Sequence, residues 1–512
     1  MSDWTAGYVA DIGYTFGYYN ELSPHRARLA MLYAGLAVPA EGAIHCELGF
    51  GQGLSANVNS AATGGTWHGN DFNPTQAAYA QAMARASGAA AHLTDESLTD
   101  FCARPDLPQF DSIGLHGIWS WISDQNRATI VDFVRRKLKV GGVLYVSYNT
   151  LPGWASFAPM RHLLTEHVRA LGTESGGSLA NVDGALAFAH RLLETAPSYA
   201  RANSQVTERF AKVRVQDKNY LAHEYFNRDW EPMHFSTMAQ WLAPAKLSFA
   251  CSGHLLDHVD AINFSKAQKA LLDSVSDGTL KETVRDFVVN QQFRRDYWVK
   301  GPRRLARQEQ TEQIRALRVL LVIPAPEVSL KAMGPQGEVT LNEEVYRPIL
   351  QALADHVPRQ VSELEAQLVP SPIKTESLFQ GIFLLMGIGG IALVQSESQI
   401  SAARDASARL NGYIIGQSAI NAELQYLASP VIGAGVSVGR FQQLFLLARG
   451  RGLALPSDWA DFAWQILKSQ NQRLLIDGKA LESEQENLAE LGRQAEDFLL
   501  RRLPVLVALG IA

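Results

Sequence analysis

The stretch Glu47-Leu48-Gly49-Phe50-Gly51-Gln52-Gly53 carries the strongest signal about the fold of this chain. It follows a short β-like run at residues 43–46 and precedes residues 54–60, which have the composition of a helix start. A strand, a turn with alternating glycines and a helix are how a doubly wound α/β sheet opens a nucleotide site. Glycine suits such a turn because it adopts positive φ and lets a ligand approach the backbone.

The acid before this turn separates two classes of nucleotide ligand. Glu47 lies two residues before Gly49, where a carboxylate repels a pyrophosphate but attracts an ammonium group. NAD carries a pyrophosphate, whereas S-adenosylmethionine (SAM) carries an α-ammonium, a sulfonium and no phosphate. The spacing therefore favours SAM over NAD as the cofactor. The cofactor candidates in the turn are Glu47, Gly49, Gly51 and Gly53.

Acidic residues also follow the next two expected strands, and the carboxyl ends of parallel strands form the ligand crevice. Asp71 comes about twenty residues after the turn, where its two oxygens can accept from the two ribose hydroxyls. We expect Phe72 to pack beside the adenosine. Asp95 and Glu96 follow the third strand, where a carboxylate can accept from an adenine amino group or cap a helix.

The end of the fourth expected strand, residues 115–121, is rich in aromatic side chains. His116 and Gly117 are predicted to contact the cofactor. The His116 imidazole is a candidate proton shuttle or a structural hydrogen-bonding group. Trp119 and Trp121 either line a substrate site or belong to the core.

The fifth strand ends in Tyr148 and Asn149, which are predicted to face the same crevice. Their polar atoms are candidates for orienting an incoming amine or accepting its proton. Residues 43–150 thus alternate strands and helices, which indicates a parallel sheet covered on both faces. Residues 180–300 are mainly helical by periodicity, and a basic break at residues 302–307 marks a boundary.

Composition limits the classes of protein to which the chain can belong. A length of 512 residues suffices for several domains, and a hydrophobic content of 47% allows sizeable cores. A net charge of −5 without a basic tract argues against a nucleic-acid partner. Three widely spaced cysteines predict neither disulfides nor a metal site. Without a predicted membrane span or signal peptide, we expect a cytoplasmic protein.

Taken together, the quoted motifs resemble bacterial class I methyltransferases that carry a methyltransferase regulatory domain, whose best-described members are outer-membrane-protein lysine methyltransferases. The His-Gly-Ile-Trp-Ser-Trp and Tyr-Asn-Thr-x-Pro-Gly-Trp blocks are more specific than the glycine turn. The segments that carry the resemblance are residues 47–53, 70–76, 116–121, 146–154, 220–225, 231–235, 286–295, 426–430 and 503–506. Phe50 and Gln52 depart from the residues frequent in class I enzymes, but neither change removes a glycine or the acid.

The resemblance implies a Rossmann-like α/β core, a helical regulatory domain and a mostly helical C-terminal domain with a winged-helix-like element. The expected divisions are an aromatic lid at 1–35, the SAM-binding core at 36–172, the regulatory domain at 173–302 and the C-terminal domain at 303–512, with the winged-helix-like part at about 335–400. The partner it implies is a protein substrate, including a cell-envelope protein before export, and a homodimer is left open.

A lysine acceptor must lose its proton before it attacks a methyl group, and an apolar aromatic site lowers the lysine pKa by desolvation. Aromatic walls also favour a cationic acceptor. The substrate-binding candidates are Tyr14, Tyr18, Trp119, Trp121, Trp154, His223, Glu224 and Tyr225. Two alternatives to a protein-lysine methyltransferase remain: methylation of a glycan or small metabolite, and a regulatory protein that binds SAM without turnover.

Overall fold

The computed structural model describes Tyr8 and residues 16–37, 44–172, 177–368 and 373–512. A seven-stranded sheet forms the centre of the N-terminal part. Its strands are β1 (Ile44–Leu48), β2 (Thr66–Asn70), β3 (Ala91–Thr94), β4 (Phe110–Leu115), β5 (Leu138–Asn149), β6 (Leu247–Ser252) and β7 (Phe293–Lys300). Their order is β3-β2-β1-β4-β5-β7-β6, with β1 to β5 parallel and β7 antiparallel between β5 and β6. The predicted doubly wound core is confirmed.

Helices pack on both faces of this sheet. They are α1 (Pro24–Tyr33), α2 (Leu54–Thr63), α3 (Pro74–Ser87), α4 (Leu98–Ala103) and α5 (Asp124–Lys137). Helices α2 and α3 pack against Trp67 and Leu93, whereas α4 and α5 pack against Leu48 and Ile113. Because successive side chains of a strand point to opposite faces, each strand contributes to both cores.

Local sequence determines where α3 begins and ends. Pro74 occupies the first helical position, and the Asn73 side chain accepts from the Thr75 N–H. The helix ends at Gly88, whose φ of 63° is the left-handed conformation that glycine adopts without strain. These two signals fix α3 between the end of β2 and the start of β3, beside the Asp71 loop.

The middle part of the chain is mainly helical. Its helices are α6 (Ala158–Leu171), α7 (Gly177–Glu194), α8 (Ser198–Ala202), α9 (Gln205–Val213), α10 (Lys218–Tyr225), α11 (Phe235–Leu242), α12 (Asp260–Asn263), α13 (Lys266–Ser274) and α14 (Gly278–Val289). Helices α6, α7, α9 and α10 share a core of their own. The same part also supplies β6 and β7, two strands that the sequence did not lead us to expect.

The region after β7 begins with a helix and a small mixed unit. This unit contains α15 (Arg307–Ala316), β8 (Arg318–Leu321), β9 (Lys331–Gly334), β10 (Gly337–Thr340), α16 (Glu343–Ala352), β11 (Arg359–Gln360), α17 (Val361–Leu368), α18 (Thr375–Gly387) and β12 (Ile391–Leu393). The antiparallel sheet β11-β8-β12 packs with α16 to α18, which is the helix-and-wing arrangement that we predicted.

The last part of the chain is mostly helical. Its elements are α19 (Glu397–Gln417), β13 (Tyr426–Ser429), β14 (Ala434–Ser437), α20 (Arg440–Gly450), α21 (Pro456–Ser469), β15 (Leu475–Ile476), β16 (Lys479–Ala480), α22 (Glu484–Asp497) and α23 (Leu503–Ala508). A π-helical turn at Phe498–Arg502 joins α22 to α23. Among the described residues, no helix combines the length and apolarity that a membrane crossing requires.

Helix α2, which directly follows the glycine turn, is enclosed on every side. All residues from Leu54 to Ala62 are buried. One side of α2 faces the sheet, and α19 covers another, where Ser407 Oγ donates to the carbonyl of Ala61 at 3.0 Å. A helix buried all round is typical of the interior of a large unit. The C-terminal region is therefore packed onto the helix that supports the candidate site.

Candidate functional site

A cavity of about 270 Å³ opens at the carboxyl ends of β1, β2 and β4. Its floor is the glycine turn, and its walls come from the β2–α3 loop, the start of α4 and the segment after β4. This edge of an open α/β sheet is where such folds bind their ligands. The predicted cofactor candidates that line it are Glu47, Gly49, Gly51, Asp71, Phe72, His116 and Gly117.

The turn depends on glycine at three positions. Gly49, Gly51 and Gly53 have φ values of 65°, 59° and 71°. A Cβ on Gly49 would lie 2.4 Å from Ile118 Cδ1, and one on Gly53 would lie 2.4 Å from the Ala80 Cβ. Any larger residue would therefore push the turn away from β4 or from α3. Gly53 serves packing rather than the ligand, because it does not line the cavity.

The carboxyl group of Glu47 is buried at the end of β1. The residue is 4% exposed, and its Oε2 atom has no hydrogen-bond partner among the described residues. Burial, with a smaller contribution from Asp71, raises the pKa of Glu47 to about 8. An unsatisfied buried acceptor is costly unless a donor or a positive charge is supplied. The Glu47 carboxyl is therefore suited to bind a cationic group of a ligand in the cavity.

Asp71 organises the opposite side of the turn. Its Oδ2 accepts from the Gly51 N–H at 2.8 Å, and its Oδ1 accepts from the Asn73 N–H at 3.0 Å. Burial raises the pKa of Asp71 to about 6, although both backbone hydrogen bonds act to lower it. A carboxylate offers about four acceptor positions, so each oxygen retains capacity for a hydroxyl of a ligand.

His116 is half-buried at the end of β4. Its Nδ1 lies 2.8 Å from the Tyr145 hydroxyl, and the Tyr19 ring stacks on the imidazole with centroids 3.6 Å apart. Burial, with a smaller contribution from the nearby Arg295, lowers the pKa of His116 to about 3. The imidazole is therefore neutral at physiological pH, which fits a packing and hydrogen-bonding group better than a proton shuttle.

Aromatic side chains form the outer rim of the cavity. The Tyr8 ring lies 5.6 Å from Phe72 and 5.5 Å from His223, measured between ring centroids. Trp121 lines the cavity, and its Nε1 donates to the carbonyl of Glu224 at 3.5 Å. Burial raises the pKa of the Glu224 carboxyl to about 7. Helix α10 thus places a carboxyl of near-neutral pKa behind the rim.

Tyr148 and Asn149 do not face the cavity, which corrects the prediction for both residues. The Tyr148 side chain is fully buried and its hydroxyl donates to Asp296 Oδ2 at 2.8 Å. Asn149 Oδ1 accepts from Trp154 Nε1 at 3.1 Å. The Tyr148 hydroxyl is taken up by the neighbouring strand β7, and the Asn149 side chain by the segment that follows β5.

Five residues predicted to bind substrate are buried and do not line the cavity: Tyr18, Trp119, Trp154, His223 and Tyr225. Trp119 packs against α5 and α11, and Trp154 packs with Tyr225 among the helices of the middle region. Tyr18 donates to Asn59 Oδ1 at 2.9 Å and packs on Tyr426. His223 is buried, and its ring lies 5.5 Å from that of Tyr8, measured between centroids.

The acids after β3 also differ from the expectation. Asp95 is exposed, and Glu96 Oε2 accepts from Thr94 and pairs with Arg104 at 3.0 Å. Neither side chain lines the cavity; the neighbouring Ser97, Leu98 and Thr99 do. An acid at this strand end is equally suited to bind a surface arginine, which the sequence does not distinguish. The remaining candidate, Tyr14, lies outside the described residues.

Several lining residues were not predicted. Asn70 donates to the carbonyl of Glu96 at 3.0 Å and leaves its Oδ1 buried without a partner among the described residues. Tyr8 and Tyr19 come from the N-terminal segment, far from the core in sequence. Asn70 could be identified from the sequence because it lies at the carboxyl end of a strand, whereas only the tertiary fold brings Tyr8 and Tyr19 to the cavity. The other unpredicted lining residues are Gly17, Phe50, Gln52, Gln76, Ile118, Ile122, Ser123, Asn126, Arg228 and Asp229.

The donor and acceptor set of the cavity fits SAM. The two orphaned buried atoms, Glu47 Oε2 and Asn70 Oδ1, are both acceptors, as a ligand ammonium requires. Gly51 and Gly117 line the cavity, and a Cβ on either would meet no atom within 4 Å, which leaves space beside the backbone. Arg228 is the only lining arginine or lysine among the described residues, and it pairs with Asp229 at 3.2 Å. A pyrophosphate would therefore meet no unpaired arginine or lysine among the lining residues that the structure describes.

Comparison with known proteins finds similarity along the whole chain. Residues 217–300 match a family model described as a predicted methyltransferase regulatory domain. An uncharacterised protein of Synechocystis, sll1526, is 40% identical over 513 residues, covering 99% of this chain and 100% of that protein. The uncharacterised protein RP789 of Rickettsia prowazekii is 25% identical over 247 residues, which cover 46% of this chain and 40% of RP789.

Among solved structures, PKMT2 from Rickettsia typhi in complex with AdoHcy superimposes with a TM-score of 0.68. The match covers 97% of this chain and all of PKMT2, at 17% sequence identity. A second structure of PKMT2 gives a TM-score of 0.65 at 16% identity, covering 96% of this chain and 99% of that chain. At this level of identity the likeness establishes the fold, including its C-terminal region.

Proposed function

Because the chain belongs to the family of class I SAM-dependent methyltransferases that carry a methyltransferase regulatory domain, we propose that it methylates a lysine nitrogen of a protein. The observation that carries the proposal is the pairing of an acidic cofactor floor with an aromatic rim. The floor selects a cationic nucleoside, and the rim selects an acceptor that is cationic until it is desolvated. We propose a cell-envelope protein, met in the cytoplasm before export, as the substrate.

On the cofactor side, each residue has a separate role. Glu47 Oε2 and Asn70 Oδ1 would accept hydrogen bonds from the ammonium group, and ionised Glu47 would neutralise its charge. Asp71 would accept from the ribose hydroxyls while it holds the Gly51 N–H in place. Phe72 would pack beside the adenosine. Bound SAM supplies a sulfonium methyl group, so the protein contributes mainly alignment of donor and acceptor.

On the acceptor side, Tyr8, Tyr19 and Trp121 lower the polarity around the entering side chain. An amine that loses its hydration there has a lower pKa and releases its proton more readily. The backbone carbonyl of Glu224 accepts from Trp121, and the Glu224 carboxyl acts electrostatically on the Tyr8 hydroxyl. With a pKa of about 7, Glu224 is well matched to accept a proton at neutral pH. We therefore propose Glu224 as the base.

The proposal is tested by supplying the purified chain with methyl-labelled SAM and a cell-envelope extract. The extract is then separated into protein, glycan and lipid fractions, and labelled protein is hydrolysed to identify methylated amino acids. We expect label in protein and its recovery as methyl-lysine. The Glu47→Gln variant, which lacks the charge that we assign to the ammonium group, provides the matched inactive control.

Label confined to glycan or small molecules would show that the methyl acceptor is a glycan or a small metabolite rather than a protein lysine. Binding of SAM without any labelled product in envelope, cytoplasmic and total extracts would support the non-catalytic alternative instead. The Glu224→Gln variant tests separately whether Glu224 acts as the base. It should lower turnover most strongly above about pH 7, where the Glu224 carboxyl of the wild type is ionised, and leave SAM affinity unchanged, because Glu224 does not line the cofactor cavity.

A further inference from the structure

A second cavity, of about 300 Å³, lies where α1, the winged-helix-like unit and the β13–β14 hairpin meet. No described residue lines both this junction cavity and the cofactor cavity. Its volume is at the lower end of the range found for small-molecule sites. Nothing in the proposed methyl transfer uses it, so its lining requires a separate explanation.

Most of the wall of the junction cavity is apolar. Leu29 of α1, Val322 and Ile391 of the winged-helix-like unit, and Ile432 and Val436 around the hairpin all line it. Ligand sites typically combine such walls with a few fixed polar groups. Arg26 and Arg502 also line the cavity, and no acidic residue does among the described lining residues.

Two arginines line the cavity without an ion pair within the described part of the chain. Arg26 Nε donates to the carbonyl of Gly253 at 3.2 Å, and Arg502 donates to the carbonyls of Val322 and Ser437 at 3.0 and 2.8 Å. Both guanidinium groups are half-buried, and burial lowers the pKa of each. A desolvated cation that is paired only with carbonyl dipoles is stabilised further by an anion.

Nearby acids do not neutralise these arginines. Glu21 and Glu327 act on Arg26 and Arg502 only through longer-range attraction. Glu327 instead forms its ion pair with the neighbouring Arg501, at 3.7 Å. Each guanidinium group therefore keeps N–H donors that no carboxylate of the described residues occupies.

An orphaned hydroxyl provides an independent sign of a ligand. Ser23 lines the junction cavity and is 2% exposed, yet its Oγ has no hydrogen-bond partner among the described residues. A buried hydroxyl without a partner costs free energy that a bound acceptor would recover. Together with Arg26, it places donors on the α1 side of the cavity, opposite the Arg502 side.

We propose that the junction cavity binds a small organic anion, in which a carboxylate or phosphate group is attached to an apolar body. The anionic group would lie against the arginines and Ser23, and the apolar body against the wall from β12 and the hairpin. Bidentate geometry makes arginine the preferred partner of both anions. The proposal does not depend on the identity of the methyl acceptor.

The junction cavity is connected to the cofactor cavity through neighbouring residues of the N-terminal segment. Asn20, in its wall, directly follows Tyr19, which stacks on His116. Tyr18 packs on the ring of Tyr426, another wall residue. A bound anion would therefore contact the segment that holds Tyr19 in place.

The test uses the full-length chain and titration calorimetry with octanoate and with octyl phosphate. Octanol and inorganic phosphate are the controls, each carrying only one half of the proposed recognition. We expect one site for at least one of the two amphipathic anions and none for octanol. Arg26→Gln and Arg502→Gln should each weaken binding about tenfold or more, a loss of about 1.4 kcal/mol. Arg501→Gln, the same change one residue away, should leave it unchanged.

Comparison of octanoate with octyl phosphate distinguishes a carboxylate ligand from a phosphate ligand. Arg502→Lys keeps the charge and should retain more affinity than Arg502→Gln, and Ser23→Ala should weaken binding without changing any charge. Absence of binding by both anions to the unaltered chain would overturn the proposal. Equal weakening by Arg501→Gln and Arg502→Gln would do the same, because it would indicate non-specific attraction to the surface.

Discussion

The Glu47 carboxyl is held at the floor of the cofactor cavity in a state that disfavours its own charge, because burial raises its pKa to about 8. A bound ammonium favours the ionised form, so binding must release a proton below that pH. We predict that affinity for S-adenosylhomocysteine (AdoHcy), the product that SAM leaves after methyl transfer, rises from pH 6.5 to 7.5 by up to about tenfold. Calorimetry across this range in the wild type and in Glu47→Gln measures the effect; the variant should bind weakly and show a flatter dependence.

For the stability of the folded chain, the pH dependence that Glu47 causes has the opposite direction. A folded-state pKa above the unfolded value stabilises the fold fully only at low pH, and this contribution is lost as pH rises through about 8. We therefore predict that Glu47→Gln, without cofactor, melts at a higher temperature than the wild type at pH 9. Thermal unfolding followed by circular dichroism checks this, and a lower melting temperature for the variant would contradict the burial argument.

Asp71 combines a ligand role with a structural role, because it binds the Gly51 and Asn73 amides. Asp71→Ala should lower affinity for S-adenosylhomocysteine by about a hundredfold or more, through loss of both roles. Asp71→Asn, which keeps one acceptor, should bind with intermediate affinity. Calorimetry measures both, with the exposed Asp106→Ala as the control; equal affinity of Asp71→Ala and the wild type would exclude the assignment.

Strand β7, which was not predicted, explains why part of the site was predicted incorrectly. Its buried positions include Arg294 and Asp296, so it lacks the apolar pattern by which a buried strand is recognised. Arg294 pairs with Asp286 and Asp296, and Asp296 accepts from Tyr148. The network that satisfies these charges is long-range. Without knowledge of β7, the partner of the Tyr148 hydroxyl is missing, and Tyr148 at the end of β5 is expected to face the crevice.

The β5–β7 pairing leads to a prediction for Tyr148→Phe. The change removes one of the hydrogen bonds to Asp296 while Arg294 still pairs with that carboxylate. We expect a loss of about 1–2 kcal/mol in unfolding free energy and near-normal cofactor affinity. Urea denaturation and calorimetry test this together. A large fall in methyl transfer at unchanged stability would restore the catalytic role first predicted for the residue.

The glycine turn, by contrast, could be predicted closely from the sequence. Its signal is local, since three positive-φ glycines between a strand and a helix determine the geometry by themselves. Glu47, Asp71 and His116 were found because strand ends converge at one edge of a parallel sheet. Tyr8 and Tyr19 could not be found in this way, because no local rule connects the N-terminal segment to the crevice.

At the scale of the whole molecule, the C-terminal region and the cofactor site share α2. Ala403 is fully buried in α19, near Ser407, which donates to the Ala61 carbonyl of α2. We predict that Ala403→Arg lowers both the melting temperature and the affinity for S-adenosylhomocysteine, although it lies outside the cofactor cavity. Ser401→Arg, an exposed position on the same helix, should change neither. Reduced stability at unchanged affinity would show that α19 does not support the site.

The enclosure of α2 also has a consequence for how the chain is made. The glycine turn and α2 leave the ribosome early, but the wall that α19 provides follows more than 300 residues later. Until then, the apolar side of α2 that α19 later covers is exposed in the nascent chain, which gives chaperones a surface to bind. A truncated translation product would accordingly be removed by proteases rather than accumulate as a partly competent enzyme.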